Sequence, residues 1–118
     1  MNYNEFLKDI EKRKGALDNK RRMLDAAALA GNCVRATWQE VNFDSEPSLK
    51  LLGDPASAIS TFAVTDSALK PLSQGDLDDI TTIIESNFTI RKPAHMRGTS
   101  LKMTTTPGTD TLVIEIQS

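Results

Sequence analysis

The stretch Thr99–Gln117, TSLKMTTTPGTDTLVIEIQ, places two alternating runs on either side of a proline–glycine pair. Leu101 and Met103 alternate with Lys102 and Thr104, and Leu112, Ile114 and Ile116 alternate with Val113, Glu115 and Gln117. A period of two is the signature of a half-buried strand. Thr106-Pro107-Gly108-Thr109 supplies proline and glycine where a type II turn wants them. The stretch is therefore a hairpin, and its apolar face needs a cover.

Helices are the expected cover. Across residues 2–30, Tyr3, Phe6, Ile10, Leu17, Leu24 and Ala28 fall within one arc of a helical wheel. Gly31-Asn32 reads as the stop, because either residue accepts the left-handed conformation past a helix end. Gly15 lies opposite the apolar stripe and is either a weak point or a break into two helices. Tyr3, Ile10, Leu17 and Leu24 recur at seven-residue spacing, a coiled-coil hint too short to carry a long supercoil. Phe6, Ile10 and Leu17 form the candidate surface for self-association.

Past the stop, residues 33–43 (CVRATWQEVNF) carry β-branched and aromatic residues in partial alternation and read as a strand. Turn formers dominate residues 44–56, around a short apolar patch of Leu49, Leu51 and Leu52. Residues 57–65 (SAISTFAVT) read as another strand. Ser73, three residues before Asp76, opens a second helix with Leu77, Ile80, Ile83 and Ile84 at helical spacing. This helix should fade near Ser86-Asn87, and Phe88, Ile90 and Lys92 should begin a strand that Pro93 ends. The expected fold class is α+β. A long N-terminal helix and a second helix pack on one face of an antiparallel sheet of about five strands. The whole chain, 1–118, forms a single domain, with 1–31 the N-terminal helix and 33–118 the strands, one helix and the C-terminal hairpin.

The composition, 39% hydrophobic and 25% charged, is that of a globular chain with a real core. No apolar run reaches the roughly 18 residues a membrane-spanning helix needs. The charged N-terminus does not read as a signal peptide, and Cys33 has no second cysteine to pair with. The expected location is cytoplasmic, in a bacterial or infected host cell.

Charge is segregated. Residues 1–22 hold seven Lys/Arg against four Asp/Glu, residues 23–90 three against ten, and residues 91–118 four against two. The basic ends either bind something anionic or pack against the acidic middle. A pI near 5.3 makes nucleic acid the less favoured anion.

Few motifs carry chemistry. Ser67-Ala-Leu-Lys70 matches S-x-x-K, but the companion motifs of enzymes that use it are missing. Asp76, Asp78 and Asp79 lack the glycine and glutamate of a calcium loop and suit the first turn of a helix. One cysteine and one histidine cannot build a usual zinc site. The six glycines form neither a dinucleotide fingerprint nor a P-loop. Lys12, Arg13, Lys14, Lys20, Arg21 and Arg22 project in nearly all directions and suit a solvated helix. No catalytic residue, metal site or cofactor is expected.

One stretch stands apart. In IRKPAHMRG, residues 90–98, Arg91, Lys92, His95 and Arg97 crowd together, with Lys102 downstream and Phe88 upstream as a stacking face. Guanidinium groups beside an aromatic plane can hold a phosphate and a base. The sequence thus supports two readings. One is a non-catalytic interaction or inhibitor protein, of the small phage or mobile-element accessory type, that binds a macromolecular partner as a homo-oligomer. The other is an anion-binding protein that holds a nucleotide, a cyclic nucleotide signal or single-stranded nucleic acid through Arg91, Lys92, His95, Arg97, Phe88 and Lys102.

Overall fold

Asn2 starts the chain's first helix by a reciprocal cap. The Glu5 amide donates to Asn2 Oδ1 at 2.9 Å, and the Asn2 amide donates to Glu5 Oε1 at 3.3 Å. In the computed structural model, which describes residues 1–53 and 60–118, this helix (α1) spans Tyr3–Arg13. It buries Phe6 and Ile10. The long N-terminal helix expected from the sequence is two helices, since Lys14 leaves the helical conformation and Gly15 lies in the turn. Lys14 Nζ pairs with both Glu11 and Asp25, so it ties α1 to the helix that follows.

That helix, α2, spans Asp18–Glu40 and runs straight through Gly31-Asn32. Of the strand expected over 33–43, residues 33–40 are the second half of α2 and residues 41–43 its C-terminal cap. Leu24, Ala27, Ala30, Val34 and Trp38 continue one helical stripe, and all are buried. Gly31 serves close approach rather than termination: a Cβ there would sit 2.8 Å from Phe6 Cε2. The stop comes later, at Asn42, whose φ is 60°. The Asn42 amide donates to the Gln39 carbonyl at 3.2 Å, and the Phe43 amide to the Trp38 carbonyl at 3.0 Å. Phe43 then meets Trp38 edge-on with ring centroids 5.3 Å apart. These two bonds and the apolar contact make a Schellman motif.

Strands β1 (Ser48–Leu51) and β2 (Thr61–Thr65) pair antiparallel, with Leu49 opposite Val64. Residues 57–59 of the strand expected at 57–65 lie outside the described residues. Asp66 closes β2 and is buried. Its carboxylate accepts the Trp38 indole N–H at 2.7 Å, the Ser45 hydroxyl at 2.7 Å and the Ala68 amide at 2.9 Å. A buried carboxylate with three donors is satisfied, and here it knots α2, the following loop and β2 together.

Helix α3 spans Gln74–Arg91, with Ser73 Oγ accepting the Asp76 amide as its N-cap. It does not fade at Ser86-Asn87. Leu77, Ile80, Ile84 and Phe88 make one buried stripe, whereas Ile90 is 78% exposed. A strand would send Phe88 and Ile90 to the same side, so the period of 3.6 wins over the period of two. Strands β3 (Ser100–Thr105) and β4 (Thr111–Gln117) form the expected hairpin. Its turn closes with the Thr109 amide donating to the Thr106 carbonyl, and Gly108 takes φ 86°.

Three helices thus pack on an antiparallel sheet of four strands in the order β1-β2-β4-β3. The α+β class stands, with four described strands where the sequence suggested about five. Phe62, Val64, Leu112, Ile114 and Ile116 face the helices, and Phe6 of α1 lies 5.2 Å from Phe62 between ring centroids.

Candidate functional site

The basic stretch at 90–98 is built by the end of α3 and a single 3-10 turn at Ala94–Met96. Extending α3 through Arg91 turns its side chains in helical rather than extended directions, and this disperses the cluster. Phe88 points into the core and is 2% exposed, so it offers no face to a ligand. Lys92 folds back over it, with Nζ 5.9 Å from the ring centroid. The same ammonium donates to the carbonyls of Arg97 at 3.2 Å and Thr99 at 2.9 Å, so it holds the loop. Arg97 and Lys102 are exposed, and Lys102 stands opposite Glu115 in the hairpin. His95 lines a cleft of about 430 Å³ together with Asn19, Arg22, Met23 and Met96. The six expected anion-binding residues therefore do not converge on one point.

Arg91 turns the other way, onto α2. Its Nη1 donates to Asn32 Oδ1 at 2.6 Å. Asn32, Arg35, Ala36 and Gln39 are spaced i, i+3, i+4 and i+7 and form one stripe of α2. With Arg91 they line a cleft of about 230 Å³. Arg35 also stacks on Tyr3 of α1, with the guanidinium carbon 5.6 Å from the ring centroid. The sequence reading missed this pair of arginines because it put Arg35 on a strand. Reading residues 24–38 as one helical stripe would have placed Arg35 on the helix surface beside Asn32.

The expected self-association residues divide in the same manner. Phe6 and Ile10 are buried inside the subunit, at 0% and 1% exposure, by Gly31, Phe62 and their neighbours. Leu17, in the turn between α1 and α2, is 71% exposed.

The sheet has two edges with different fates. On β1, the Leu49 amide donates to the Met1 carbonyl, so the N-terminal residues cover that edge. On β3, the directions of the backbone groups follow from β4. The Ile116 amide donates to the Ser60 carbonyl, and Ser60 Oγ donates to the Ile116 carbonyl. Ile116 therefore faces β2, its neighbours Glu115 and Gln117 face β3, and their partners Lys102 and Ser100 face β4. By alternation, Leu101, Met103 and Thr105 send their N–H and C=O groups outward. No described residue hydrogen-bonds to the backbone of these three on that side.

The other residues that the sequence singles out sit in ordinary local structure. Lys70 and Ser67 are joined through the backbone, the Lys70 amide donating to the Ser67 carbonyl. Asp76 and Asp78 sit in the opening turns of α3, where Gln74 Nε2 donates to Asp78 Oδ1 and to Thr105 Oγ1. Cys33 is fully buried, and burial pushes its thiol up to about 11, away from the thiolate a nucleophile needs. Among the described residues no three His, Cys, Asp or Glu side chains gather as a metal site would require, and no helix is long and apolar enough to cross a membrane. Comparison with protein-family models, with curated proteins and with solved structures finds no match to this chain.

Proposed function

We propose that this chain is a non-catalytic interaction protein, of the small accessory or inhibitor type carried by phages and mobile elements. It binds a macromolecular partner in the cytoplasm and does so as a homo-oligomer. The observation that carries the oligomer is the open edge of β3. A six-residue strand with unpaired backbone groups is a template for another strand. A second copy of the same edge fits it. Antiparallel pairing about a twofold axis at Met103 sets Leu101 against Thr105, Met103 against Met103, and Thr105 against Leu101. All are residues whose backbone groups point outward. On the opposite face Lys102 falls beside Thr104 of the second copy, so no like charges oppose one another. The product is one continuous sheet of eight strands with the helices of both copies on the same side.

The non-catalytic reading draws on Cys33, Ser67 and Asp76, each of which has a structural place in the fold. The lone buried thiol also suits a reducing compartment.

Sedimentation equilibrium of the wild type against Met103→Pro tests the reading. Proline is tolerated where a strand's N–H faces solvent, so the variant should keep the wild-type circular dichroism. Its missing N–H and ring should leave it monomeric at concentrations where the wild type is dimeric. A wild type that is monomeric throughout, or a dimer that persists in the proline variant, would overturn the β3 interface.

A further inference from the structure

Two guanidinium groups line the cleft between α2 and the end of α3, and among the described residues no acid lines it with them. Neither Arg35 nor Arg91 forms an ion pair among the described residues. Glu46 lines the adjoining cleft on the other side of Arg35, together with Tyr3, and makes no ion pair with it. The two cations are instead fixed by neutral groups, Arg91 by Asn32 Oδ1 and Arg35 by the Tyr3 ring. Such contacts orient a guanidinium and leave its charge uncompensated.

The donors left over define what would fill the cleft. One N–H of Arg91 is used on Asn32, and the others remain. Arg35 stands over the Tyr3 ring, a contact that uses none of its N–H groups, and no described residue accepts a hydrogen bond from it. The Gln39 carboxamide adds further donors, and the Asn32 carboxamide, one N–H of which is directed to the Tyr3 hydroxyl, keeps the other. Ala36 contributes only a methyl group, so the helix surface between the polar side chains is low. A carboxylate has two oxygens and is satisfied by one guanidinium fork. Two forks with two amides suit a group of three terminal oxygens. The volume of about 230 Å³ falls below the roughly 300–1,000 Å³ of pockets that enclose a small molecule. The cleft thus has room for the anionic group and not for a whole nucleotide.

We propose that the Arg35–Arg91 cleft binds a phosphoryl group, either as free phosphate or as the terminal phosphate of a monoester whose remainder extends past Tyr3. This site is independent of the β3 edge, and its test does not require the chain to oligomerise. Arg91 acts here from the last turn of α3 together with a residue more than fifty positions upstream, not with Lys92, His95 or Arg97.

The test is a proton–nitrogen correlation titration of the labelled protein at constant ionic strength, with inorganic phosphate and with adenosine monophosphate as separate probes. Saturable shifts of the Arg35 and Arg91 side-chain N–H resonances and of the Asn32, Ala36 and Gln39 amide resonances are expected, and the amide shifts should be lost in the folded double variant Arg35→Gln/Arg91→Gln. Arg97→Gln should leave them unchanged. Tighter binding of the nucleotide, with shifts in the Tyr3 ring, identifies a monoester as the ligand; equal affinity identifies the phosphoryl group alone. Shifts that rise linearly without saturating, that match those produced by chloride, or that survive in the double variant would overturn the site.

Discussion

Replacing Gly31 by alanine tests how α1 and α2 are held together. In an unobstructed helix interior this change stabilises by roughly 1 kcal/mol, because alanine loses less backbone freedom and hides more of the backbone. Here the new methyl would meet Phe6 Cε2 at 2.8 Å, and Phe6 Cδ2 and Leu49 Cδ1 at 3.3 and 3.4 Å. Phe6 is fully buried, and its ring already leans on Phe62. It cannot swing into solvent, so α1 must lift or the ring must leave its rotamer. Overpacking of this kind costs roughly 1–3 kcal/mol. Taken against the propensity gain, Gly31→Ala should destabilise by about 1 kcal/mol, a fall in Tm of about 4 °C for a domain of this size. Urea unfolding followed by circular dichroism reads the difference directly. The control is the same substitution in a Phe6→Leu background, where the smaller side chain makes room. The penalty should shrink or reverse there, giving a coupling of about 1 kcal/mol or more between the two sites. If Gly31→Ala stabilises the protein in both backgrounds, the close approach of the two helices at Gly31 is wrong.

Two further outcomes follow from single residues. Burial raises the Cys33 thiol from 9.0 to about 11, so the unfolded chain releases that proton first and stability falls as pH rises from 9 through 11. Two pH units correspond to a loss of at most about 3 kcal/mol. Tyr3, raised by burial, and Lys14, raised by its hydrogen bonds to Asp25 and Glu11, add losses of the same sign at higher pH. The difference in unfolding free energy between wild type and Cys33→Ala isolates the thiol, and it should shift in favour of the variant between pH 8 and 11; a constant difference would refute the assignment. At the end of α2, Asn42→Gly should hold or slightly raise Tm, whereas Asn42→Val should cost roughly 1–2 kcal/mol, because a β-branched residue resists a φ of 60°. Equal melting temperatures for the two variants would remove the Schellman cap from the account.

The hairpin was legible because a period of two, a proline–glycine turn and an apolar face all agreed over Thr99–Gln117. The start of α3 was equally readable, since a serine three residues before an acid is a local signal whose partners lie within one turn. The reading went astray where two periods competed over a short window. In residues 33–43 and again in 88–92, β-branched and aromatic residues satisfied an alternating pattern and a helical one at once. The tie was broken by the common core, in which Val34, Trp38 and Phe88 are all buried. Gly31-Asn32 carries the local chemistry of a helix stop, yet its glycine is needed for the passage of Phe6 and its asparagine accepts a bond from Arg91.

The candidate site followed those errors. Six basic and aromatic residues clustered in sequence, but helix geometry sent Phe88 inward, Arg91 to α2 and His95 to a separate cleft. Sequence proximity within a helix turn means separation by direction, and no count of charges conveys that. What the sequence determined by itself was the class of the fold, the strand pattern of the hairpin and the apolar stripes of the helices, because these depend on neighbours a few residues apart. The length of α2, the close contact at Gly31, the open edge of β3 and the meeting of Arg35 with Arg91 were decided by the tertiary structure alone. Each depends on which distant side chain or strand fills the space opposite, and local propensity is too weak to choose between arrangements that bury the same residues.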